Sequence, residues 1–332
     1  MGVKIDDSIQ AWSGGDKPFL ASYGKLMMWF FLITDALTFS AFLAGYGFAR
    51  FKFPEIWPNP EEVFSHFPFL HGDHPLLFVA LMTFILIMSS VTMVLAVNYG
   101  HKMQKNKVIL WLSLTIIGGF TFLGSQAWEW GHFIHGSRGG IETNTESIVH
   151  IAKDGEISSF YELMEFDSYT GDHSTYIFEK YGLRGDCCDV KNVDLSKTLV
   201  CEDCFNNTAI NSVIDQLDAK PEYCIRKADR TYLSNTDSKE YLRKNGKEII
   251  LGANLKTNEY GHRLFADYFY FITGFHGFHV FSGVIILIVI LINVIKGTYE
   301  RRGHYEMVEK VGLYWHFVDL VWVFVFTFFY LV

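Results

Sequence analysis

Five long apolar stretches alternate with polar connections along this chain. They run from Leu26 to Phe48, Leu76 to Val97, Val108 to Trp130, Phe265 to Ile295 and Val311 to Val332. At about 1.5 Å per residue, each stretch is long enough to cross roughly 30 Å of hydrocarbon as a helix. The pattern therefore predicts an all-α membrane protein, built as a bundle of five transmembrane helices.

Residues 132–263, between the third and fourth stretches, differ in character. They are acidic and polar, and they mix apolar and polar positions in short helix-like and strand-like patterns. We interpret them as a small insert domain, whose fold the pattern leaves open. The predicted domains are an N-terminal segment 1–25, helices 1–3 in 26–131, the insert 132–263, and helices 4–5 in 264–332.

Basic residues in the short connections predict the orientation. Residues 98–107 and 296–310 are rich in Lys and Arg, and Lys17 and Lys25 precede the first span. The positive-inside rule places these three segments, including the N-terminus, on the cytoplasmic side. The insert and the C-terminus then lie outside the cytoplasm, with an odd number of spans between the two termini.

The composition agrees with lipid as the main solvent. Half of the 332 residues are hydrophobic and 17% are aromatic, more large apolar side chains than a soluble domain of this length needs. The formal net charge is -8, most of it in the insert. This charge argues against nucleic acid as a partner, and it would attract a basic protein to the insert.

All five cysteines lie in the insert. For a domain outside the cytoplasm they favour disulfides, and the odd number leaves one thiol over. A metal site is the weaker alternative, since there is a single CxxC and no His lies among the cysteines. The disulfide candidates are Cys187, Cys188, Cys201, Cys204 and Cys224.

Ionisable side chains interrupt the apolar stretches. Each costs about 2.5 to 3.5 kcal/mol near the bilayer centre, so each needs a partner or a function. Asp35 lies ten positions past Lys25, about 15 Å into the membrane. No cation lies within one turn of it, so it is protonated or meets water or a partner from elsewhere. A proton-conducting role and a packing role are equally supported by this chemistry.

Two pairs of polar residues share the three-residue spacing that places both members on one helix face: His276 with His279, and His316 with Asp319. We favour hydrogen bonds within a pair, or to Ser, Thr or Trp of a neighbouring helix, over metal ligation. Glu129 lies near the outer end of the third stretch, where we expect it to be wetted. The spans carry no residue set suited to haem or copper, so we predict no redox cofactor in this chain.

Four segments resemble one known family. YWHFVDLVW, followed by an apolar run, resembles the final helix of subunit III of haem-copper cytochrome c oxidase, and TGFHGFHVFSGVIIL resembles its penultimate helix. SQAWEWGHF resembles the Gln-x-x-Glu helix end of that subunit. KLMMWFFLITDALTFSAF resembles the helix with a buried acidic residue, with Asp35 where Glu is usual. Longer family members have seven helices, and the five spans here resemble the last five.

The resemblance implies an accessory subunit in the bacterial inner membrane. Such a subunit contacts the catalytic subunit I and subunit II, which hold the haem and copper, and supports proton uptake and stability, partly through bound phospholipid. By this resemblance Asp35 is the buried carboxylate and Glu129 the helix-end glutamate. The two remaining pairs belong to the last two helices.

The insert departs from the family pattern, because it replaces a short loop. Facing outside, it is a candidate contact for cytochrome c or for another respiratory complex. Two alternatives to the cytochrome c oxidase interpretation stay open. One is a subunit III-like component of a quinol oxidase or nitric oxide reductase assembly. The other is an autonomous proton channel, against which the lack of an inverted repeat argues.

Overall fold

The computed structural model describes residues 22–68, 74–164 and 198–331, with the backbone alone at 161 and 198–208. Five of its helices are long and apolar enough to span a membrane, which confirms the predicted number. They are α1 (Tyr23–Lys52), α3 (Leu77–His101), α4 (Lys105–His135), α8 (Arg263–Ile295) and α10 (Glu306–Val325), the last continued by a π-helical turn (Phe326–Leu331). The shorter helices are α2 (Pro60–Val63), α5 (Phe160–Leu163), α6 (Thr198–Ala219), α7 (Asn235–Asn245) and α9 (Thr298–Arg302).

The insert contains a small antiparallel sheet, which the sequence left open. Strand β2 pairs with β1, β3 and β4, and β1 also pairs with β5. The strands are β1 (Gly140–Thr143), β2 (Ile148–Lys153), β3 (Glu156–Ile157), β4 (Tyr223–Arg226) and β5 (Gly246–Ile250).

Helix α6 supplies much of the core of the insert. Its buried residues Ala209, Ile210, Val213, Ile214 and Leu217 recur at the spacing of one helix face. They form one cluster with apolar side chains of the sheet, from β1, β2 and β4. The insert is therefore a mixed α and β domain, whereas the membrane part is all-α.

The contacts within the described residues divide the chain into two compact units. Among the described residues, the helical unit comprises 22–43, 80–124 and 275–328, and the insert unit comprises 44–68, 74–79, 125–164, 198–274 and 329–331. The insert unit thus contains the described part of the predicted insert together with the adjoining ends of the membrane helices. Asp35 and the two polar pairs belong to the helical unit, and Glu129 belongs to the insert unit.

Glycines allow close helix contacts inside the helical unit. A Cβ added to Gly118 of α4 would lie 2.7 Å from the Cβ of Ser89 on α3. A Cβ on Gly119 would lie 2.7 Å from both Trp315 of α10 and Val284 of α8. Helix α4 therefore packs closely against three other helices at positions where no larger residue fits.

Candidate functional site

Tryptophans of α10 donate hydrogen bonds to hydroxyl groups of α3. The Nε1 of Trp315 lies 3.1 Å from Ser89 Oγ, and the Nε1 of Trp322 lies 2.9 Å from Thr83 Oγ1. All four residues are buried. In a lipid-facing bundle such bonds satisfy groups that have no water to bind. They fix the rotation of α10 about its own axis relative to α3.

Ser90 of α3 is the shared partner of the pair on α10. Its Oγ lies 2.6 Å from Nδ1 of His316, and its hydroxyl also hydrogen-bonds the Asp319 side chain. The second carboxyl oxygen of Asp319 is buried and has no partner in the part of the chain that the structure describes. The sequence left open whether His316 and Asp319 bind each other or a neighbouring helix. The structure shows hydrogen bonds to a serine of the neighbouring helix α3.

Asp35 of α1 lies against His279 of α8. Its Oδ2 is 3.1 Å from Nε2 of His279, and the side chains are 16% and 9% exposed, respectively. No cation lies within one turn of Asp35 on α1 itself. The fold instead supplies an imidazole from 244 positions away in the sequence. This pairing joins two candidate residues whose contact the sequence does not predict.

The hydrogen bonds of His279 fix how many protons the pair holds. Its Nδ1 lies 2.8 Å from the carbonyl oxygen of Phe275, and a carbonyl only accepts, so Nδ1 carries a hydrogen. The contact between Nε2 and Asp35 then also needs one proton, placed either on the carboxyl or on the ring. The pair is electrically neutral in both forms, which lowers the cost of placing it among apolar helices.

His276 has a different environment. It is fully buried, and its Nε2 donates to the carbonyl oxygen of Val318 at 3.0 Å. Its ring contacts the rings of Phe122 and Trp322, with centroids 5.6 and 5.0 Å away. Its Nδ1 has no partner among the described residues. His276 and His279 thus share a helix face but bind different helices.

Glu129 is buried, so the expectation that water reaches it is wrong. Only 4% of the residue is exposed, and Oε2 accepts hydrogen bonds from Gln126 Nε2 at 2.8 Å and Tyr330 Oη at 3.1 Å. Tyr330 lies in the π-helical turn that ends α10. The sequence could not show this, because the tyrosine is 201 positions away.

Glu259, which no sequence motif identified, organises the start of the insert. It is fully buried, and its carboxyl accepts backbone N–H groups of Ser137 at 2.8 Å, Arg138 at 3.2 Å and Gly252. Burial raises the pKa of Glu259, and the three backbone donors oppose that rise. The sequence marks Glu259 only by its position in the turn-rich segment NEYGH. This signal is too weak to identify it as a structural residue.

The cysteines remain largely outside the described side chains. Cys187 and Cys188 lie outside the described residues, and for Cys201 and Cys204 only the backbone is described. Cys224, on β4, is a half-buried free thiol. The disulfide prediction thus gains no support, and for the other four cysteines it stays a prediction. Among the described residues, no three potential metal ligands converge.

Comparison with known proteins gives matches to one family. Residues 259–332 match the family model of cytochrome c oxidase subunit III. Cytochrome c oxidase subunit 3 of Thermostichus vulcanus is 38% identical over 88 residues, which cover 25% of this chain and 39% of that protein. The probable subunit 3 of Rickettsia felis (strain ATCC VR-1525 / URRWXCal2) is 43% identical over 95 residues, covering 25% and 34%. Subunit 3 of Synechocystis sp. (strain ATCC 27184 / PCC 6803 / Kazusa) is 46% identical over 69 residues, covering 20% and 29%.

The chain spans about a third of the length of these curated relatives. The match includes both polar pairs of the last two spans, and it confirms the resemblance there. Asp35 and Glu129 lie outside the residues that the family model matches. Their correspondence to family positions therefore stays a prediction.

Proposed function

We propose that this chain, whose residues 259–332 match the family model of cytochrome c oxidase subunit III, is an accessory subunit of a respiratory terminal oxidase. In this proposal it contacts catalytic subunit I and subunit II, which hold the haem and copper. It supports proton uptake by the catalytic subunit and lengthens that subunit's working life. The observation that carries the proposal is the Asp35–His279 pair, in which one partner comes from the family-matching region.

The proton count of this pair supports a role in proton supply. One proton lies between Asp35 and His279, and its transfer from one group to the other leaves the pair neutral. The Asp35 carboxyl of this pair is itself partly exposed. The chemistry suits a group that buffers protons beside the entry path of another subunit.

Helix α1, which carries Asp35, has a large surface available for a partner subunit or for lipid. Only 11% of its apolar stretch is buried, against 33% to 44% for the other four spans. Its exposed aromatic residues include Trp29, Phe30 and Phe31. This face supports contact with an oxidase subunit, with phospholipid filling the remaining space.

We also propose the orientation in which the N-terminus is cytoplasmic and the insert lies outside, in a bacterial inner membrane. The insert would then meet cytochrome c or a neighbouring respiratory complex. The net negative charge of the insert supports electrostatic attraction of a basic electron carrier. Deleting residues 140–258 should leave the five helices inserted and remove that association; failure of the helices to insert would instead make the insert structural.

The first experiment is purification of the chain from its native membrane, followed by visible spectroscopy. Co-purifying haem a bands support a cytochrome c oxidase. Other haem bands, together with quinol oxidation, support the quinol oxidase alternative, and nitric oxide reduction supports the reductase alternative. A colourless oligomer without other subunits contradicts the proposal and supports an autonomous proton channel.

The second experiment tests the pair by Asp35→Asn and His279→Gln in the assembled oxidase. One interhelical hydrogen bond in a membrane contributes about 0.6 kcal/mol and up to about 1.7 kcal/mol, so both variants should fold. We expect near-normal initial turnover, then faster loss of activity or weaker proton uptake. Thr38→Val on the same helix is the control, because the Thr38 hydroxyl is exposed and binds only its own helix backbone. Inactivation kinetics equal to the wild type would reduce Asp35 to a packing residue.

A further inference from the structure

The insert unit has a polar pocket with an excess of positive charge. It is an open pocket of about 360 Å³, lined by the loop after α1, by β2, and by the turn that follows β4. Three cations line it, Arg226, Lys227 and Arg230, against the single carboxylate of Glu62.

Arg226 is a buried cation whose hydrogen-bonding capacity is incompletely used. The residue is 7% exposed, and Nη1 and Nη2 each lie 3.0 Å from one carboxylate oxygen of Glu62. Its Nε is buried and has no partner within the described ranges. A buried N–H without an acceptor is costly, and an anion in the pocket would supply one.

Arg230 stands at the tip of the turn after β4 in an unusual conformation. Its φ is +65°, a region that large side chains rarely adopt. The turn is closed by backbone hydrogen bonds between Lys227 and Arg230 at 2.9 Å and between Lys227 and Thr231 at 2.9 Å. Arg230 is exposed, so its guanidinium is available to a ligand. Lys227 adds charge, while its Nζ lies over the ring of Tyr241.

The titratable groups at the pocket reflect the positive potential. Burial tends to raise the pKa of Glu62, yet hydrogen bonds from Arg226 and the charges of Arg226, Arg230 and Arg138 leave it below its usual value. Burial, together with the charges of Arg226 and Arg138, lowers the pKa of His150 to about 4. At neutral pH His150 is therefore uncharged and Glu62 is ionised, so the cations that line the pocket outnumber its carboxylate.

We propose that this pocket binds a phosphate group, either of a phospholipid head group or of a soluble phosphate ester, through Arg226 and Arg230. Guanidinium groups bind phosphate oxygens through paired N–H donors, which a lysine cannot reproduce. The pocket lies close in sequence to two membrane-helix ends. Its residues 56–59 follow the end of α1 at Lys52, and Tyr260 and Gly261 precede the start of α8 at Arg263. This position supports a lipid head group as one of the two sources of the phosphate.

The test uses the full chain purified in a neutral detergent, with two separate probes. Inorganic phosphate represents the soluble ligand, and short-chain phosphatidic acid represents the head group. Arg230→Asn removes the exposed guanidinium, and asparagine tolerates a positive φ better than most residues. Lys256→Gln is the matched control, since it removes one exposed positive charge of the insert outside the pocket lining.

We expect Arg230→Asn to weaken binding at least fivefold while Lys256→Gln leaves it unchanged. Binding of inorganic phosphate would identify a soluble ester as a sufficient ligand, and binding of the lipid alone would identify the head group. Equal affinities for Arg230→Asn and the wild type would overturn the proposal. So would an equal loss in both variants, or no saturable binding of either probe.

Discussion

His150 should make the stability of the insert depend on pH. It lies half-buried on β2, and its Nε2 donates to the Glu259 carbonyl oxygen at 2.8 Å. Burial is the largest cause that lowers its pKa from 6.5 to about 4, and Arg226 and Arg138 lower it further. The hydrogen bond to Glu259 and the charge of Glu62 oppose this shift.

The sign follows from proton binding. Between pH 4 and 6.5 the unfolded insert binds a proton at His150 that the folded insert does not, so the free energy of unfolding rises with pH. The contribution is complete above pH 6.5 and is lost as the pH falls towards 4. Lowering the pKa of His150 from 6.5 to about 4 corresponds to roughly 3 kcal/mol in full, of which roughly 2 kcal/mol is lost between pH 7.5 and 5.

Amide hydrogen exchange of β2 and β4 measures this effect, after correction for the intrinsic pH dependence of exchange. The comparison variant is His150→Gln, whose amide can still donate to the Glu259 carbonyl but does not titrate. On acidification from pH 7.5 to 5, we expect the opening free energy of the wild type to fall by roughly 2 kcal/mol more than that of the variant. The same pH response in both proteins would refute the assignment.

Two predictions concern the packing of the helical unit. Gly119→Val places side-chain atoms where neighbouring groups already lie 2.7 Å from an added Cβ, and should destabilise the purified protein by about 1 to 3 kcal/mol in thermal unfolding. Gly124→Val is the control, since nothing lies within 4 Å of that position, and an equal loss would contradict the packing argument. Ser90→Ala removes the shared partner of two polar groups on α10 and should cost about 1 to 3 kcal/mol. Ser113→Ala, whose hydroxyl binds its own helix backbone, should have a much smaller effect; similar losses would mean that the interhelical bond is unimportant.

The spans were predictable because hydropathy is a local property. The fourth stretch, predicted from Phe265 to Ile295, is the helix Arg263–Ile295. Helix α10 begins at Glu306, five residues before the predicted start, because its first turn carries charged residues that a hydropathy pattern excludes. Differences of this kind concern helix ends, where polar residues continue a helix beyond the hydrocarbon.

The partners of the polar residues were not predictable in the same way. Three-residue spacing correctly placed His276 and His279 on one face of a helix, yet one binds a backbone carbonyl of α10 and the other binds Asp35 of α1. Glu129 was expected at a wet interface, but it is buried and accepts hydrogen bonds from Tyr330 and Gln126. Burial depends on which helices pack together, and that information is distributed over distant parts of the chain.

The sequence by itself determined that this protein has five membrane helices, a separate polar insert and a last quarter that is similar to cytochrome c oxidase subunit III, because each of these is encoded in contiguous residues. Only the tertiary structure decided that Asp35 lies within hydrogen-bond distance of His279, that Ser90 binds two groups of α10, and that Arg226 and Arg230 line one pocket. The physical reason is that hydrophobicity acts residue by residue, whereas a hydrogen bond or an ion pair requires two groups to be brought within about 3 Å.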